Sequence, residues 1–271
     1  MSQDSTKFDE RELLTELEKI NEVEITRKRN FGINYYIPNV TQLKAHKSNA
    51  DYVLLCGANR IGKTTFGACE LTFHLTRNYP DWFSQKRRFY RPIKAVVVAT
   101  DNPIIQKVIE PKVLAYLPKD YIADIHRVSG AYVARLECKD GSTVDFLSNE
   151  QDDMKFESQD WDFYWGDEPQ QERKFQAIQR GLIDRHGIGI ITFTPLIQPW
   201  MKEQLVDKAD GKRIEVITAV MRDNLFDIKG NPILDEKDIA LFEKELPEDV
   251  REPSVYGKFF NLRGIVYKEF S

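Results

Sequence analysis

Gly57-Ala58-Asn59-Arg60-Ile61-Gly62-Lys63-Thr64 carries two glycines five positions apart, followed at once by Lys-Thr. It joins the apolar run Tyr52-Val53-Leu54-Leu55-Cys56 to a segment, 64 to about 75, that reads as a helix. Strand, glycine-held turn and helix start, in that order, make an anion cradle. Glycines let successive backbone N–H groups curl inward, the helix start adds partial positive charge, and a lysine reaches outward along a chain of phosphates. A plain core turn between strand and helix would not need the lysine and threonine as well. The chemistry is binding of a nucleoside triphosphate by the backbone of residues 57–64, with Lys63 on the outer phosphates, Thr64 holding Mg²⁺ and Thr65 alongside.

A phosphate cradle alone does not separate a hydrolase from a nucleotide switch, so a second set of groups must decide. Asp162-Phe163-Tyr164-Trp165-Gly166 reads as a buried strand that ends in Asp167-Glu168. At the carboxyl edge of a sheet, Asp167 can hold Mg²⁺ and Glu168 can polarise the water that attacks the γ-phosphate. Phosphoryl transfer also needs cationic help, for which Arg60 inside the turn is the local candidate and Lys155, Arg180 and Arg185 are candidates for serving a neighbouring subunit. Ile190-Ile191-Thr192-Phe193-Thr194-Pro195 ends another apolar strand in hydroxyls, suited to sensing the γ-phosphate. Gln42, fifteen residues before Gly57, has an amide that can pair with both edges of adenine.

The elements that position these groups form an alternating pattern. Apolar runs at 52–56, 94–99, 162–166, 188–193 and 213–218 are separated by helical segments, which predicts a mainly parallel sheet covered on both faces. Residues 131–137 and 142–147 flank Asp140-Gly141 and predict an antiparallel hairpin at one edge. An amphipathic helix over 8–20 is expected to pack on the domain through Leu13, Leu14, Leu17 and Ile20. After Met221 the pattern changes to turns and one charged helix, 236–245, read as a small helical subdomain beside the nucleotide site. Residues 264–270 look like the start of an extended segment.

With 271 residues and 41% hydrophobic content, the chain can bury one large core with an add-on. Net charge is −4, but residues 1–24 hold eight acidic and three basic side chains, so the remainder is close to neutral and a basic face is allowed. Lys86-Arg87-Arg88-Phe89-Tyr90-Arg91 is the densest basic cluster, and Lys202, Lys208, Lys212 and Arg213 form a looser one. Cys56, Cys69 and Cys138, like His46, His74, His126 and His186, are too scattered for a disulfide framework or a metal site, which fits a reducing interior. No apolar stretch approaches the ~20 residues that span a bilayer, and the first residues show no basic segment followed by an apolar run, so a soluble protein that is not exported is expected.

Together, Tyr36-x-Pro38…Gln42, the 57–64 turn, Tyr79-Pro80-Asp81-Trp82, Ser148-Asn149-Glu150-Gln151…Lys155-Phe156, Trp161-Asp162…Asp167-Glu168-Pro169 and Thr192-Phe193-Thr194-Pro195-Leu196 closely resemble the ATPase half of tailed-phage terminase large subunits. The resemblance runs from about residue 35 to 270. It implies a P-loop NTPase fold of the ASCE type, with an N-terminal extension over 1–34, an ATPase core over 35–221 and a small helical subdomain and linker over 222–271. It also implies an ATP- and Mg²⁺-dependent motor that threads double-stranded DNA into a procapsid, working in the host cytoplasm as a homo-oligomeric ring on the portal protein with a small terminase subunit as partner. Carried across, Gln42 is the adenine reader, Lys63 and Arg60 touch phosphate, Thr64 and Asp167 hold Mg²⁺, Glu168 is the base, and Thr192 to Thr194 couple hydrolysis to movement. Lys155 falls near where relatives offer a basic residue in trans, and Ser158 stands where they often have glycine. Full members carry a C-terminal nuclease; this sequence stops near where it would begin, so no DNA cleavage is expected of it. A helicase-like ATPase on the same core, or a nucleotide-gated assembly module with little turnover, are the alternatives.

Overall fold

The structure, a computed structural model, describes residues 10–128, 132–157, 159–195 and 199–259. Among these residues eight strands form one sheet: β1 (Tyr52–Gly57), β2 (Lys94–Ala99), β3 (Ile122–Val128), β4 (Tyr132–Cys138), β5 (Thr143–Ser148), β6 (Phe163–Asp167), β7 (Ile188–Phe193) and β8 (Ile214–Ala219). Their order is β3-β4-β5-β2-β6-β7-β1-β8, with every pairing from β5 to β8 parallel. One strand, β7, thus lies between the strand of the phosphate turn and the strand of the acidic pair, which is the ASCE arrangement. All three of these strands are buried along their whole length, because their Val, Ile, Leu and aromatic runs face helices on both sides.

The helices are α1 (Glu10–Asn30), α2 (Val40–Lys47), α3 (Lys63–Thr76), α4 (Asn102–Ile104), α5 (Glu110–Tyr116), α6 (Glu172–Ile183), α7 (Pro199–Met201), α8 (Glu236–Glu245) and α9 (Glu248–Tyr256). Alternation along β1 divides the core in two. Val53 and Leu55 pack with Phe66 and Leu71 of α3, while Leu54 and Cys56 pack with Phe175 and Ile178 of α6. Helix α3 lies unusually close to the sheet: a Cβ built on Gly67 would stand 2.1 Å from the Trp165 indole, so a side chain there would push the helix off β6.

Three expectations are corrected. The hairpin edge carries a further strand, β3, paired antiparallel to β4. Its sequence, Ile122-Ala123-Asp124-Ile125-His126-Arg127-Val128, is mostly solvent-facing and shows no continuous apolar run. The N-terminal helix extends to Asn30 and is not packed through its stripe: Leu13, Leu14, Leu17 and Ile20 are 47–62% exposed. Contact is made near its carboxyl end, where Ile25 and Lys28 line a groove with Pro111 and Leu114 of α5. Among the described residues after Met221 there are two helices, α8 and α9, where one was expected; α8 keeps the anticipated bounds, and α9 contains Pro253, which a reading by helix propensity discounts. Residues 264–270 lie outside the described residues.

Candidate active site: a phosphate loop facing an acidic pair

Six strands run parallel, so their carboxyl ends gather at one edge, where ligands bind in open α/β sheets. β1 ends there in the 57–62 turn, β6 in Asp167 and β7 in Phe193, followed by Thr194. Gly62 takes a left-handed φ of 80° and starts α3 at Lys63; Arg60 also has a positive φ, 61°, without the freedom of glycine. Lys63 Nζ donates to the carbonyls of Gly57 and Ala58, at 3.0 and 2.8 Å, which holds its ammonium over the turn. Arg60 is exposed at the tip.

Thr64 Oγ1 lies 3.4 Å from Asp167 Oδ1 and 3.5 Å from Oδ2. Two chain regions 103 residues apart therefore place a hydroxyl and a carboxylate close enough to share one cation. Asp167 is tied to the next strand as well: Thr192 Oγ1 donates to Asp167 Oδ1 at 2.7 Å and accepts from Trp165 Nε1 at 3.0 Å. Burial pushes the Asp167 carboxyl up to about 6, against the pull of Thr192 and Lys63. Burial likewise raises Glu168 and lowers Lys63, while the opposite charges of that pair counter each shift. Hard oxygen donors, one of them a carboxylate short of compensating charge, suit Mg²⁺. Among the described residues no cluster of three or more His, Cys, Asp or Glu side chains forms a separate metal site.

Glu168 has a φ of 64°, a strained conformation for a residue with a Cβ. Its backbone N–H donates to Thr192 O at 2.7 Å. Its carboxylate accepts from the Thr194 N–H and hydroxyl, both at 3.2 Å. Gln170, fully buried, accepts from the Tyr164 hydroxyl at 2.5 Å and donates to the Glu168 carbonyl, which pins the turn after the acidic pair. The end of β7 thus grips both acids, one through Thr192 and one through Thr194.

Other sequence assignments are redistributed. Gln42 is buried and its amide is engaged: Nε2 donates to Gly62 O and Oε1 accepts from the Asn39 N–H, both at 2.9 Å. It braces the turn, and these two bonds use one of its two amide hydrogens and one of its two oxygen lone pairs. Ala58 and Asn59 point their N–H groups outward, to Ala219 O at 3.0 Å and Ser254 O at 2.8 Å. The inward-facing backbone therefore begins after Asn59. Thr65 occupies the third position of α3. Arg185 bonds Asp162 and Asp160 at the opposite edge of the sheet, which removes it from the free cations, whereas Lys155 and Arg180 are exposed.

The basic cluster at 86–91 is not one continuous basic surface: Lys86, Tyr90 and Arg91 are exposed, while Arg87 is buried and Arg88 and Phe89 are partly buried. Arg87 is buried against Glu70 at 2.8 Å in a network with His46 and His74. Arg88 donates to the carbonyls of Pro80 and Phe83, and Arg91 to Asp162. Lys202 pairs with Asp207. Residues missed from sequence are Asn39, Thr192 as a carboxylate holder, Gln170 and Asn224. Only Asn39 had a readable signal, since Asn followed three residues later by Gln is a capping box, and α2 forms it in full.

The family model for the terminase large subunit, T4likevirus-type, N-terminal, matches residues 54–271, which include both halves of the site. The chain belongs to this family. No curated protein matches it. Among solved structures, the large terminase ATPase domain of Thermus phage P74-26 superposes with a TM-score of 0.62 at 15% identity, over 84% of this chain and 96% of that one. The large terminase of another thermophilic bacteriophage gives 0.64 at 14% identity, over 87% of this chain and 57% of that one. That second phage protein in complex with ADP gives 0.62 at 14% identity, over 82% and 53%. At such identities the likeness establishes the fold, and this terminase chain spans just over half the length of the second protein. Among its described residues no helix is long and apolar enough to cross a membrane.

Proposed function

We propose that this terminase chain hydrolyses ATP with Mg²⁺ and that the hydrolysis drives double-stranded DNA into a procapsid. The observation that carries the reading is the approach of Thr64 Oγ1 to Asp167, 3.4 Å, with Glu168 next in the chain and Lys63 over the turn. Backbone N–H groups of residues 60–64 and the Lys63 ammonium receive the phosphates, and Arg60 supplies a further positive charge at the tip. Thr64 and Asp167 would hold Mg²⁺, which when bound neutralises charge on the phosphate oxygens. Glu168 accepts a proton from the attacking water, whose oxygen bonds to the γ-phosphorus as the bond to the ADP oxygen breaks. Thr192 and Thr194, which hold Asp167 and Glu168, sit where a change at the γ-phosphate is felt by β7, and this suits them to coupling.

The active assembly is a ring on the portal protein, with the small terminase subunit as a further partner, inside the host cell. Lys155 or Arg180 is the cation offered across the ring, since Arg185 is engaged elsewhere. The experiment is phosphate release at increasing protein concentration, with and without duplex DNA, alongside binding of ATP-γ-S by calorimetry. Release that rises more than proportionally supports catalysis across subunits. ATP-γ-S binding with no release under any condition would favour a nucleotide-gated assembly module.

A further inference from the structure

Three consecutive carbonyls of the phosphate loop are each held by a buried side-chain amide. Asn224 Nδ2 donates to Arg60 O at 2.5 Å, Asn39 Nδ2 to Ile61 O at 3.1 Å, and Gln42 Nε2 to Gly62 O at 2.9 Å. The amides also bond one another. Asn39 Nδ2 donates to Asn224 Oδ1 at 2.6 Å, and Asn39 and Gln42 exchange backbone-to-side-chain bonds at 2.8 and 2.9 Å. None of the three side chains belongs to the loop, and none is more than 5% exposed. A peptide whose C=O is held outward turns the following N–H inward, so this set fixes the donors that face a phosphate. It also supports Arg60 in its left-handed conformation, which a non-glycine residue keeps only when its surroundings impose it.

Asn39 and Gln42 are local to α2, whereas Asn224 lies 185 residues beyond Asn39, at the end of the Met221–Asn224 turn that leads toward α8. The same C-terminal segment takes the loop's outward N–H groups: Ala219 O accepts from Ala58 and Ser254 O, in the last turns of α9, accepts from Asn59. Gly257, with a φ of 60°, ends α9 so close to the loop that a Cβ on it would stand 2.4 Å from Ala219 O and 3.3 Å from Gly57 Cα. Elsewhere a cleft lined by Arg60, Met221, Ile239 and Phe242 separates loop from α8. Contact between the loop and this segment is made by the close approach of Gly257 to Gly57 and by hydrogen bonds on successive peptide groups, 58 to 60.

We propose that Asn224 is a positioning residue for the phosphate loop and that, through Asn224 and Ser254, the state of the loop is coupled to helices α8 and α9. The inference rests on the nucleotide reading given above. When a triphosphate orders the 60–62 peptides, the Asn224 and Ser254 bonds tighten and the 236–256 segment is held; loss of the phosphate loosens both. The coupling is reciprocal, so movement of α8 and α9 changes nucleotide affinity by the same factor.

The test measures hydrogen–deuterium exchange over residues 236–256 with and without saturating ATP-γ-S, together with calorimetric affinity, in the wild-type chain, Asn224→Ala and Asn224→Asp. Asn224→Asp keeps the acceptor for Asn39 and loses the donor to Arg60 O. Expected are slower exchange on binding in the wild type, at least fivefold weaker binding in both variants, and no nucleotide-dependent change over 236–256 once the variants are saturated. A purely structural role for Asn224 would change exchange equally with and without nucleotide, and that result overturns the proposal. So does wild-type protein that binds without slowing exchange over 236–256, or variants that bind and respond as the wild type does. Wild-type protein that does not bind ATP-γ-S overturns the nucleotide reading itself, and this inference with it.

Discussion

Strand β6 is bracketed by two aspartates that meet opposite surroundings. At its start, Asp162 is fully buried and surrounded by donors: Arg91 at 2.6 Å, Arg185 at 2.9 and 3.0 Å, and the Lys94 N–H at 2.8 Å. Burial would push that carboxyl up, but the two guanidinium groups and the N–H bring it below its ordinary value. At its end, Asp167 meets hydroxyls in place of guanidinium groups, and burial raises it to about 6, with Glu168 raised beside it. A buried carboxylate without a paired cation costs stability, and such an unmet charge marks a site prepared for a ligand. One edge of the sheet holds the fold together, and the other keeps an electrostatic deficit that Mg²⁺ and Lys63 can relieve.

The contrast can be broken from either side. Glu168→Gln is expected to lower phosphate release by about 10²–10⁴-fold, the usual contribution of a positioned general base, while ATP-γ-S affinity by calorimetry changes less than threefold. Unchanged release would remove Glu168 as the base. Arg185→Ala, at the other end, leaves Asp162 with one guanidinium; a cost of about 1–3 kcal/mol is expected, read as a melting temperature lowered by roughly 5 °C with nucleotide affinity intact. The same melting temperature in that variant would show that the lower edge is not a stabilising cluster.

Asp167→Asn removes the unmet charge and keeps an acceptor for Thr192, so the melting temperature is expected to rise by about 2–5 °C as Mg²⁺-dependent release disappears. A fall in stability would mean that Asp167 is already compensated. The smallest effect is on pH. Asp167 is ionised only above about 6, so release should decline as pH falls through that value. Its raised folded pKa means that the chain gains stability from this group over the same descent, whereas the contribution of Asp162, whose pKa is depressed, is lost only below the ordinary carboxylate range. A pH profile of release that is flat between 7 and 5, with folding intact, would separate Asp167 from activity.

Much of this was legible before any coordinates. The 57–64 spacing, the buried run ending in Asp167-Glu168 and the Thr192–Thr194 strand end are contiguous signals, and each lies at the sheet edge expected of it. Strand β3 escaped because an exposed edge strand bears no apolar period. Arg87 reads as surface charge because its partner Glu70 lies on a different element, α3, where His74 is its i,i+4 neighbour and His46 joins them only when α2 packs there. Gln42 carries an amide that sequence alone points toward adenine, and the fold also uses that amide to brace the loop. Asn224 had no local signal at all, since its meaning depends on a carbonyl 164 positions earlier.

The central claim is that Thr64 and Asp167 hold one cation beside a triphosphate. Mn²⁺ affinity in the presence of ATP-γ-S, followed by electron paramagnetic resonance, tests it most directly. Thr64→Val and Asp167→Asn should each weaken Mn²⁺ binding about tenfold or more while a Lys202→Ala control does not; Mn²⁺ bound equally well by all four proteins would contradict the account.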